Sequence, residues 1–230
     1  PSATAQWRAV RFGKSAAMMR YSDLRDWSTA LSNAEVTIPF TLIACENAQG
    51  ELLMLKRYKP PFVDMWNFLG GKIEPDERPD ASARRELLEE LGRAVAPRAL
   101  KYRGVAFWPE TADHEVRYRG MHLFYARLPA KVHSTGQLAL LDEGVTAWLP
   151  KDLLARGDDF EAVPNFGVLY PIMVEAPDNA PQAVFHWTNK AGHYESASRP
   201  IRPDYSHPSS FPPGNAKVPV SALTGPPDTF

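Results

Sequence analysis

Residues 71–92 read GKIEPDERPDASARRELLEELG, in which a glycine-led loop is followed by a pattern typical of a short helix. Asp80 is placed to cap the start of this helix, and Gly92 is placed to end it. Apolar residues recur at helical spacing and predict a face that packs on a sheet; they are Ala83, Leu87, Leu88 and Leu91. One helix can therefore be anchored in a core while its polar side chains stay outside.

The polar surface of the predicted helix carries three glutamates. Glu86 lies three and four positions before Glu89 and Glu90, so the three carboxylates are neighbours on the helix surface. Like charges at this spacing destabilise a helix by about 0.2–0.5 kcal/mol per pair. A hard divalent cation prefers oxygen ligands and would turn this repulsion into binding. The pattern therefore predicts a site for Mg²⁺ or Mn²⁺.

The spacing of these residues resembles the Nudix box, the signature of the Nudix hydrolase family with its MutT-like pyrophosphohydrolases. Gly71 is followed after five residues by Glu77 and after seven more by Arg85, which begins the run RELLEELG. Each fixed polar or glycine position of the box is present, and the one departure is Arg93, where the family has an aliphatic residue. The resemblance implies a hydrolase that acts on acid anhydrides in phosphorus-containing substrates, with a nucleotide as the small-molecule substrate.

The resemblance also implies roles for individual residues. Glu86, Glu89 and Glu90 correspond to the catalytic, metal-binding carboxylates, and Glu86 resembles the proposed general base of some MutT-like members. The carbonyl oxygen of Gly71 is implied as a further metal ligand. An acid outside the box often completes the family's metal site, and Glu143 is our candidate, although it can equally be a solvated loop acid.

Glu77 and Arg85 are implied by the resemblance to pair with each other. Such an ion pair would hold the loop that carries Gly71 against the helix. Their expected role is therefore structural support of the site.

Residues outside the box carry the prediction of substrate. Trp66, Asn67 and Phe68 precede the paired glycines, and this segment resembles the MutT-like branch that acts on oxidised purine nucleotides such as 8-oxo-dGTP. Asn165 resembles a second asparagine of that branch. A carboxamide offers a purine edge both a donor and an acceptor, and Trp66 or Phe68 could stack on the ring. Core and turn roles stay open for these residues.

Two other functions stay open. Pro109 lies sixteen residues beyond Arg93, which resembles the spacing of the ADP-ribose pyrophosphatase branch and favours ADP-ribose or another nucleotide sugar. A Nudix-fold domain that senses a nucleotide without cleaving it typically lacks one or more box carboxylates, whereas this chain retains all of them.

Composition narrows the class of partner. The chain has 26 Lys plus Arg against 27 Asp plus Glu and no basic cluster, so we expect it to bind no nucleic acid polymer. It has no apolar run long enough to span a membrane, and its single cysteine, Cys45, lies in an apolar run typical of a core. These features predict a cytoplasmic protein that contacts no membrane. A homodimer is left open.

The order of elements predicts an α/β (α+β) fold with a mixed β-sheet sandwiched between helices. Strands are expected at residues 6–12, 36–45, 51–58, 100–107, 117–128 and 145–149, with an edge strand at 183–188; helices are expected at 22–31, 151–155 and 163–175. The expected organisation is an N-terminal extension (1–35), a Nudix domain (36–176) and a C-terminal tail (177–230). Ten of the 22 prolines lie in the tail, which is therefore expected to be extended or partly disordered.

Overall fold

A computed structural model describes residues 27–92, 94–112, 115–128, 139–155, 160–188, 194–214 and 217–224. The strand expected at residues 6–12 lies outside these ranges. Of the helix expected at residues 22–31, the described part begins with α1 (Trp27–Ala30).

The strands of the described chain form one mixed sheet. They are β1 (Glu35–Glu46), β2 (Glu51–Arg57), β3 (Trp66–Phe68), β4 (Leu100–Ala112), β5 (Glu115–Arg127), β6 (Ala139–Leu141), β7 (Gly144–Pro150), β8 (Gln182–Thr188), β9 (Tyr194–Pro200) and β10 (Lys217–Pro219). Their order is β6-β7-β2-β1-β5-β4-β8-β9, with β3 paired to β2 and β10 to β1. The β1–β5 and β4–β8 pairs are parallel, and the other pairs are antiparallel.

Helices cover both faces of this sheet. Besides α1 they are α2 (Pro79–Leu91), α3 (Lys151–Ala155), α4 (Phe166–Tyr170) with a π-helical continuation (Pro171–Glu175), and α5 (Val220–Leu223). Helix α2 contributes Ala83 and Leu87 to the core on one face, and α4 contributes Phe166 and Leu169 to the core on the other. The fold class expected from the sequence is confirmed. Within the described ranges, no helix has the length and apolar content of a membrane span.

The glycine loop is fixed against β1 by backbone contacts. Strand β2 pairs with only Cys45 and Glu46 of β1. Beside the earlier part of β1 lies the segment that follows β3. The Ile43 N–H donates to the Leu69 carbonyl at 2.8 Å, and the Thr41 N–H donates to the Gly71 carbonyl at 2.9 Å. A Cβ at Gly70, which has φ +149°, would overlap the Thr41 carbonyl, so this close approach requires glycine.

Helix α2 differs from the sequence prediction at two positions. It begins at Pro79, a favoured first helical residue, so Asp80 lies inside the helix and the expected Asp80 cap is wrong. Leu88 is 47% exposed rather than part of the core stripe, because one residue along a helix turns the side chain by about 100° away from Leu87. Gly92 ends the helix with φ +64° and donates its N–H to Leu88, as expected.

Two other elements were predicted incorrectly. The α-helix expected at residues 163–175 covers only Phe166–Tyr170 and continues as the π-helical turn, because Pro171 cannot donate a backbone hydrogen bond. The strand expected at the sheet edge, β8, is paired on both sides, to β4 and to β9.

The described part of the segment after residue 176 belongs to the sheet and the core. It supplies β8, β9 and β10, and beyond β9 five of its apolar side chains are buried in the core on the face that α2 covers: Ile201, Phe211, Val218, Val220 and Leu223. An extended or disordered tail is therefore the wrong description of these residues. The buried apolar residues beyond β9 are separated by prolines and polar residues. They therefore show neither the two-residue period of a strand nor the 3.6-residue period of a helix, and the sequence does not predict their burial.

Candidate functional site

Helix α2 brings its three predicted glutamates to one surface with unequal burial. The Glu86 side chain is largely buried, the Glu89 side chain is 57% exposed, and one carboxylate oxygen of Glu90, Oε2, is buried without a hydrogen-bond partner. Burial raises the pKa of Glu90 to about 8, with further contributions from the charges of Glu86, Glu143 and Glu89. The surroundings of Glu90 therefore disfavour its negative charge.

Gly71 lies directly against the Glu86 carboxylate. A Cβ at position 71 would overlap that carboxylate, so the pairing requires a residue without a side chain. Burial raises the pKa of Glu86, and hydrogen bonding to Arg85 opposes this rise. The Gly71 carbonyl oxygen accepts one hydrogen bond, from the Thr41 N–H, and retains a second lone pair.

Arg85 holds the loop and the helix together. Its Nε and Nη2 donate to the two carboxylate oxygens of Glu77, each at 3.0 Å, and Nη2 also donates to the Lys72 carbonyl at 2.9 Å. Burial alone would raise the pKa of Glu77, but hydrogen bonds from Arg85 and from the Glu74 N–H hold the pKa below its usual value. The geometry is that of a two-point ion pair linking the Glu77 loop to α2.

The same guanidinium reaches two of the predicted metal ligands. Arg85 Nη1 lies 2.8 Å from Glu86 Oε1 and 3.3 Å from Glu89 Oε2. Within the described ranges no three acidic or histidine side chains lie together around a common point at metal-ligand geometry. The carboxylates are thus arranged around Arg85, and metal binding would require the Glu86 and Glu89 side chains to turn from it.

The donor chemistry nevertheless suits a hard divalent cation. The Glu86 carboxylate lies against Gly71, and the buried Glu90 oxygen lacks a hydrogen-bond partner; carboxylate and carbonyl oxygens are the ligands that such a cation prefers. An uncompensated buried carboxylate is costly, and a cation is one means of compensating it.

Glu143 reaches this environment from a distant part of the chain. It occupies the turn between β6 and β7, where its carbonyl oxygen accepts a hydrogen bond from the Tyr58 N–H at 2.8 Å. Its exposed carboxylate raises the pKa values of Glu86 and Glu90, which places it within electrostatic range of both. The sequence candidate outside the box therefore lies near the box glutamates.

The aromatic residues before the glycines pack against a segment that the sequence analysis did not identify. The Trp66 ring stacks on Phe160 with centroids 5.9 Å apart and an interplanar angle of 16°, and the backbone N–H of Trp66 donates to the Glu161 carbonyl at 2.8 Å. Phe68 is a core residue whose ring stacks on Phe166 at 5.0 Å. Of the two rings predicted to stack on a base, only that of Trp66 is partly exposed. Phe160 is an isolated aromatic in a loop, and only the fold reveals its partner.

The two predicted asparagines lie in the same region. Asn67 is in β3, and its Oδ1 accepts a hydrogen bond from the Phe68 N–H at 2.9 Å, which leaves its NH₂ group as the available donor. Asn165 precedes α4 and makes no capping hydrogen bond with its side chain. Its neighbour Phe166 contacts Phe68, so the fold brings both partly exposed asparagines beside the aromatic pair.

Two surface cavities border α2. One of about 300 Å³ is lined by Ala81, Arg84, Arg85, Leu88, Ala94 and Val95. The other, of about 350 Å³, lies between α2, β4 and the C-terminal residues 206–208. Neither of these two cavities is lined by the predicted base-binding residues.

Cys45 plays no part in the site chemistry. It is fully buried, and burial raises the pKa of its thiol further from the neutral range. A core role, as expected from the sequence, is confirmed.

Comparison with known proteins agrees with the geometry. Residues 38–166, more than half of the chain, match the NUDIX domain family. Similar solved structures include a MutT protein from Methanosarcina mazei Go1 (18% identity, 62% of this chain and 95% of that chain, TM-score 0.46). A second is the NUDIX domain of Shewanella oneidensis NrtR in complex with ADP ribose (15% identity, 64% of this chain and 90% of that chain, TM-score 0.45). A third is the E. coli dihydroneopterin triphosphate pyrophosphohydrolase (20% identity, 61% of this chain and 96% of that chain, TM-score 0.44). Because the family match covers more than half of the chain and each fixed polar and glycine position of the Nudix box is present, the chain belongs to the NUDIX family of hydrolases, which act on pyrophosphate bonds.

Proposed function

We propose that this chain is a Mg²⁺- or Mn²⁺-dependent pyrophosphohydrolase that cleaves a nucleoside di- or triphosphate derivative, with 8-oxo-dGTP as the candidate substrate. The observation that carries the proposal is the environment of Glu90. Its buried oxygen has no hydrogen-bond partner and lies within electrostatic range of Glu86, Glu143 and Glu89, so a divalent cation would relieve the cost of its negative charge. A cytoplasmic location, the lack of binding to nucleic acid polymers and a homodimer stay predictions of the sequence.

The residues that would hold the metal are the α2 glutamates, assisted by the Gly71 carbonyl and Glu143. When bound, the cation neutralises the phosphate oxygens and lowers the pKa of water. The exposed Glu89 side chain can turn away from Arg85 at small cost, since its contacts with Nη1 are long, 3.3 and 3.4 Å. The two-point pair with Glu77 keeps Arg85 in place during that change.

The reaction itself is hydrolysis of an anhydride. Water attacks one phosphorus atom, the α–β P–O–P bond breaks, and a nucleoside triphosphate yields a nucleoside monophosphate and pyrophosphate. In our proposal a Glu86 carboxylate oxygen accepts the proton of the attacking water.

Recognition of the base is assigned to the β3 segment and Asn165. The exposed side of Trp66 would stack on the purine, because Phe160 already supports its other side in parallel geometry. The Asn67 NH₂ group donates to an acceptor on the purine edge, and the Asn165 carboxamide can donate or accept. An oxidised purine differs from its parent in these donors and acceptors, so the polar contacts can discriminate between them.

The test is product formation with Mg²⁺ over a panel of 8-oxo-dGTP, dGTP, ADP-ribose, a dinucleoside polyphosphate and NADH. Glu86→Gln removes the proposed base, and Glu74→Gln is the matched control, since it changes charge equally on an exposed loop residue. We expect release of pyrophosphate from 8-oxo-dGTP to exceed that from dGTP. Glu86→Gln should abolish this activity, whereas Glu74→Gln should retain it.

Other outcomes would replace the proposal. Preferential cleavage of ADP-ribose to AMP would favour a nucleotide-sugar pyrophosphatase and would contradict the base contacts of Asn67 and Asn165. Tight nucleotide binding without any product would favour a non-catalytic sensor. Equal loss of activity in both glutamine variants would contradict the special role of Glu86.

A further inference from the structure

A C-terminal strap lies beyond the part of the chain that matches the NUDIX family. We define the strap as residues 201–214 and 217–224, whereas the match ends at residue 166. It crosses the face of the sheet that α2 covers.

The strap is anchored on both sides of its contact with the Nudix loop. Before that contact, the buried ring of Phe211 packs at 4.5 Å on His122 of β5 and at 6.0 Å on Tyr102 of β4. After it, β10 pairs with the start of β1, and Val220 and Leu223 enter the core. These anchors fix the position of the intervening residues relative to the sheet.

Between the anchors the strap meets the loop that carries Glu77. The Gly214 N–H donates to the Glu77 carbonyl at 3.0 Å. A Cβ at Gly214 would lie 3.4 Å from the Asp76 nitrogen and 3.7 Å from the Glu74 carbonyl oxygen, so strap and loop are in backbone contact. Gly214 has φ +66°, a left-handed conformation that glycine adopts readily.

This contact connects to the carboxylates through Arg85. The Glu77 side chain receives two hydrogen bonds from Arg85, whose Nη1 in turn contacts Glu86 and Glu89. The Asp76 backbone has φ +65°, a left-handed conformation that aspartate adopts more readily than most residues with a side chain. The strap contacts the loop at the next residue, where Gly214 donates its N–H to the Glu77 carbonyl.

We propose that the C-terminal strap is a positioning element of the active site: by binding the Glu77 carbonyl it holds the loop, and through the Glu77–Arg85 pair that loop, with the Gly71 carbonyl, is held in place beside the glutamates of α2. The proposal rests on the proposed function, because it assumes that these glutamates bind the metal. Gly214 is the positioning residue, acting through Glu77.

The test compares two substitutions at Gly214 in the full chain. Gly214→Pro removes the N–H donor and also excludes the φ of +66°, whereas Gly214→Ala keeps the donor and can adopt that φ with some strain. Val184→Ala, a buried change in the core on the opposite face, controls for a general loss of stability. The readouts are amide hydrogen exchange of residues 72–78, the dissociation constant of Mn²⁺ without substrate, and kcat and KM for the substrate that the panel identifies.

For Gly214→Pro we expect loop exchange to accelerate and Mn²⁺ affinity and kcat to fall by about tenfold, the lower end of the effect of losing a supporting partner of a metal ligand. KM should change less than kcat, and the two control variants should stay near wild type. The proposal is wrong if Gly214→Pro and Gly214→Ala behave alike, or if Val184→Ala weakens Mn²⁺ binding equally.

Two further points keep the test decisive. If Gly214→Pro does not fold, Phe211→Leu loosens the strap away from the loop, and unchanged loop exchange in that variant would overturn the proposal. Hydrogen exchange needs neither metal nor substrate. If the chain hydrolyses no substrate of the panel, the proposed function is refuted, but the exchange of residues 72–78 still tests whether the strap holds the loop.

Discussion

His122 makes the stability of this protein sensitive to acid. Its imidazole is buried in β5, with the Tyr102 hydroxyl 3.2 Å from Nδ1 and the Phe211 ring edge-to-face against it. Burial lowers the pKa of His122 from 6.5 to about 3, because the charged form loses its hydration. The folded protein therefore keeps this histidine neutral under mildly acidic conditions.

The size of the effect follows from proton linkage. Below pH 6.5 the unfolded chain binds a proton at this residue that the folded chain does not bind until about pH 3, so the free energy of unfolding falls with falling pH across that window. The contribution of His122 to the free energy of unfolding changes by about 1.4 kcal/mol per pH unit below pH 6.5, so lowering the pH from 7 to 5 reduces that free energy by about 2 kcal/mol. The result at pH 5 depends little on the folded pKa, because that pKa lies well below 5. His186, whose burial lowers its pKa to about 4, adds a similar loss.

Urea unfolding at pH 7 and pH 5 measures this difference. His122→Phe replaces the buried imidazole with an apolar ring that cannot be protonated. Between pH 7 and pH 5 the free energy of unfolding of this variant should therefore fall by about 2 kcal/mol less than that of the wild type. His207→Phe, at an exposed position, is the control and should leave the pH dependence as in wild type. An equal pH-dependent loss in wild type and His122→Phe would refute the reasoning.

Two other predictions test the packing of α2 and the loop. Leu87→Ala should lower the free energy of unfolding by about 2–5 kcal/mol, whereas Leu88→Ala, at a 47% exposed position, should change it by no more than about 0.5 kcal/mol. Urea unfolding checks both, and equal losses would contradict the helix orientation. Gly71→Ala should weaken Mn²⁺ binding at least about tenfold, because its methyl group overlaps the Glu86 carboxylate. Gly167→Ala, which has open space around it, is the matched control; equal Mn²⁺ affinity of the two variants would show that Gly71 is not required.

The features that the sequence could predict are those set by local chemistry. The spacing from Gly71 to Glu90 was sufficient to place a loop, a helix and a surface of carboxylates, because loop and helix are adjacent in the chain. The Glu77–Arg85 pair spans eight residues and was identified through the same resemblance. Apolar runs located β1, β2, β4 and β5, since each is rich in β-branched or aromatic residues.

The features that the sequence missed depend on contacts between distant segments. No pattern in β1 specifies that β5 and β10 are its neighbours, because a strand's side-chain pattern shows which face is buried and not which strand lies beside it. Phe160 and Phe211 are single aromatics in irregular segments, and their importance follows from the rings they meet, Trp66 and His122.

The role of Arg85 connects the box to the rest of the fold. Its pair with Glu77 has two short contacts and is partly buried, whereas its contact with Glu89 is longer and that carboxylate is mostly exposed. Because partly buried two-point pairs resist disruption more than exposed single contacts, an arriving cation would displace the guanidinium from Glu89 before it displaced Glu77. The loop would then stay attached to α2 while the carboxylates rearrange. The Gly214 N–H of the strap also donates to the Glu77 carbonyl and so helps to hold the loop against α2. A segment beyond the matched family region is therefore positioned to affect the chemistry at the box.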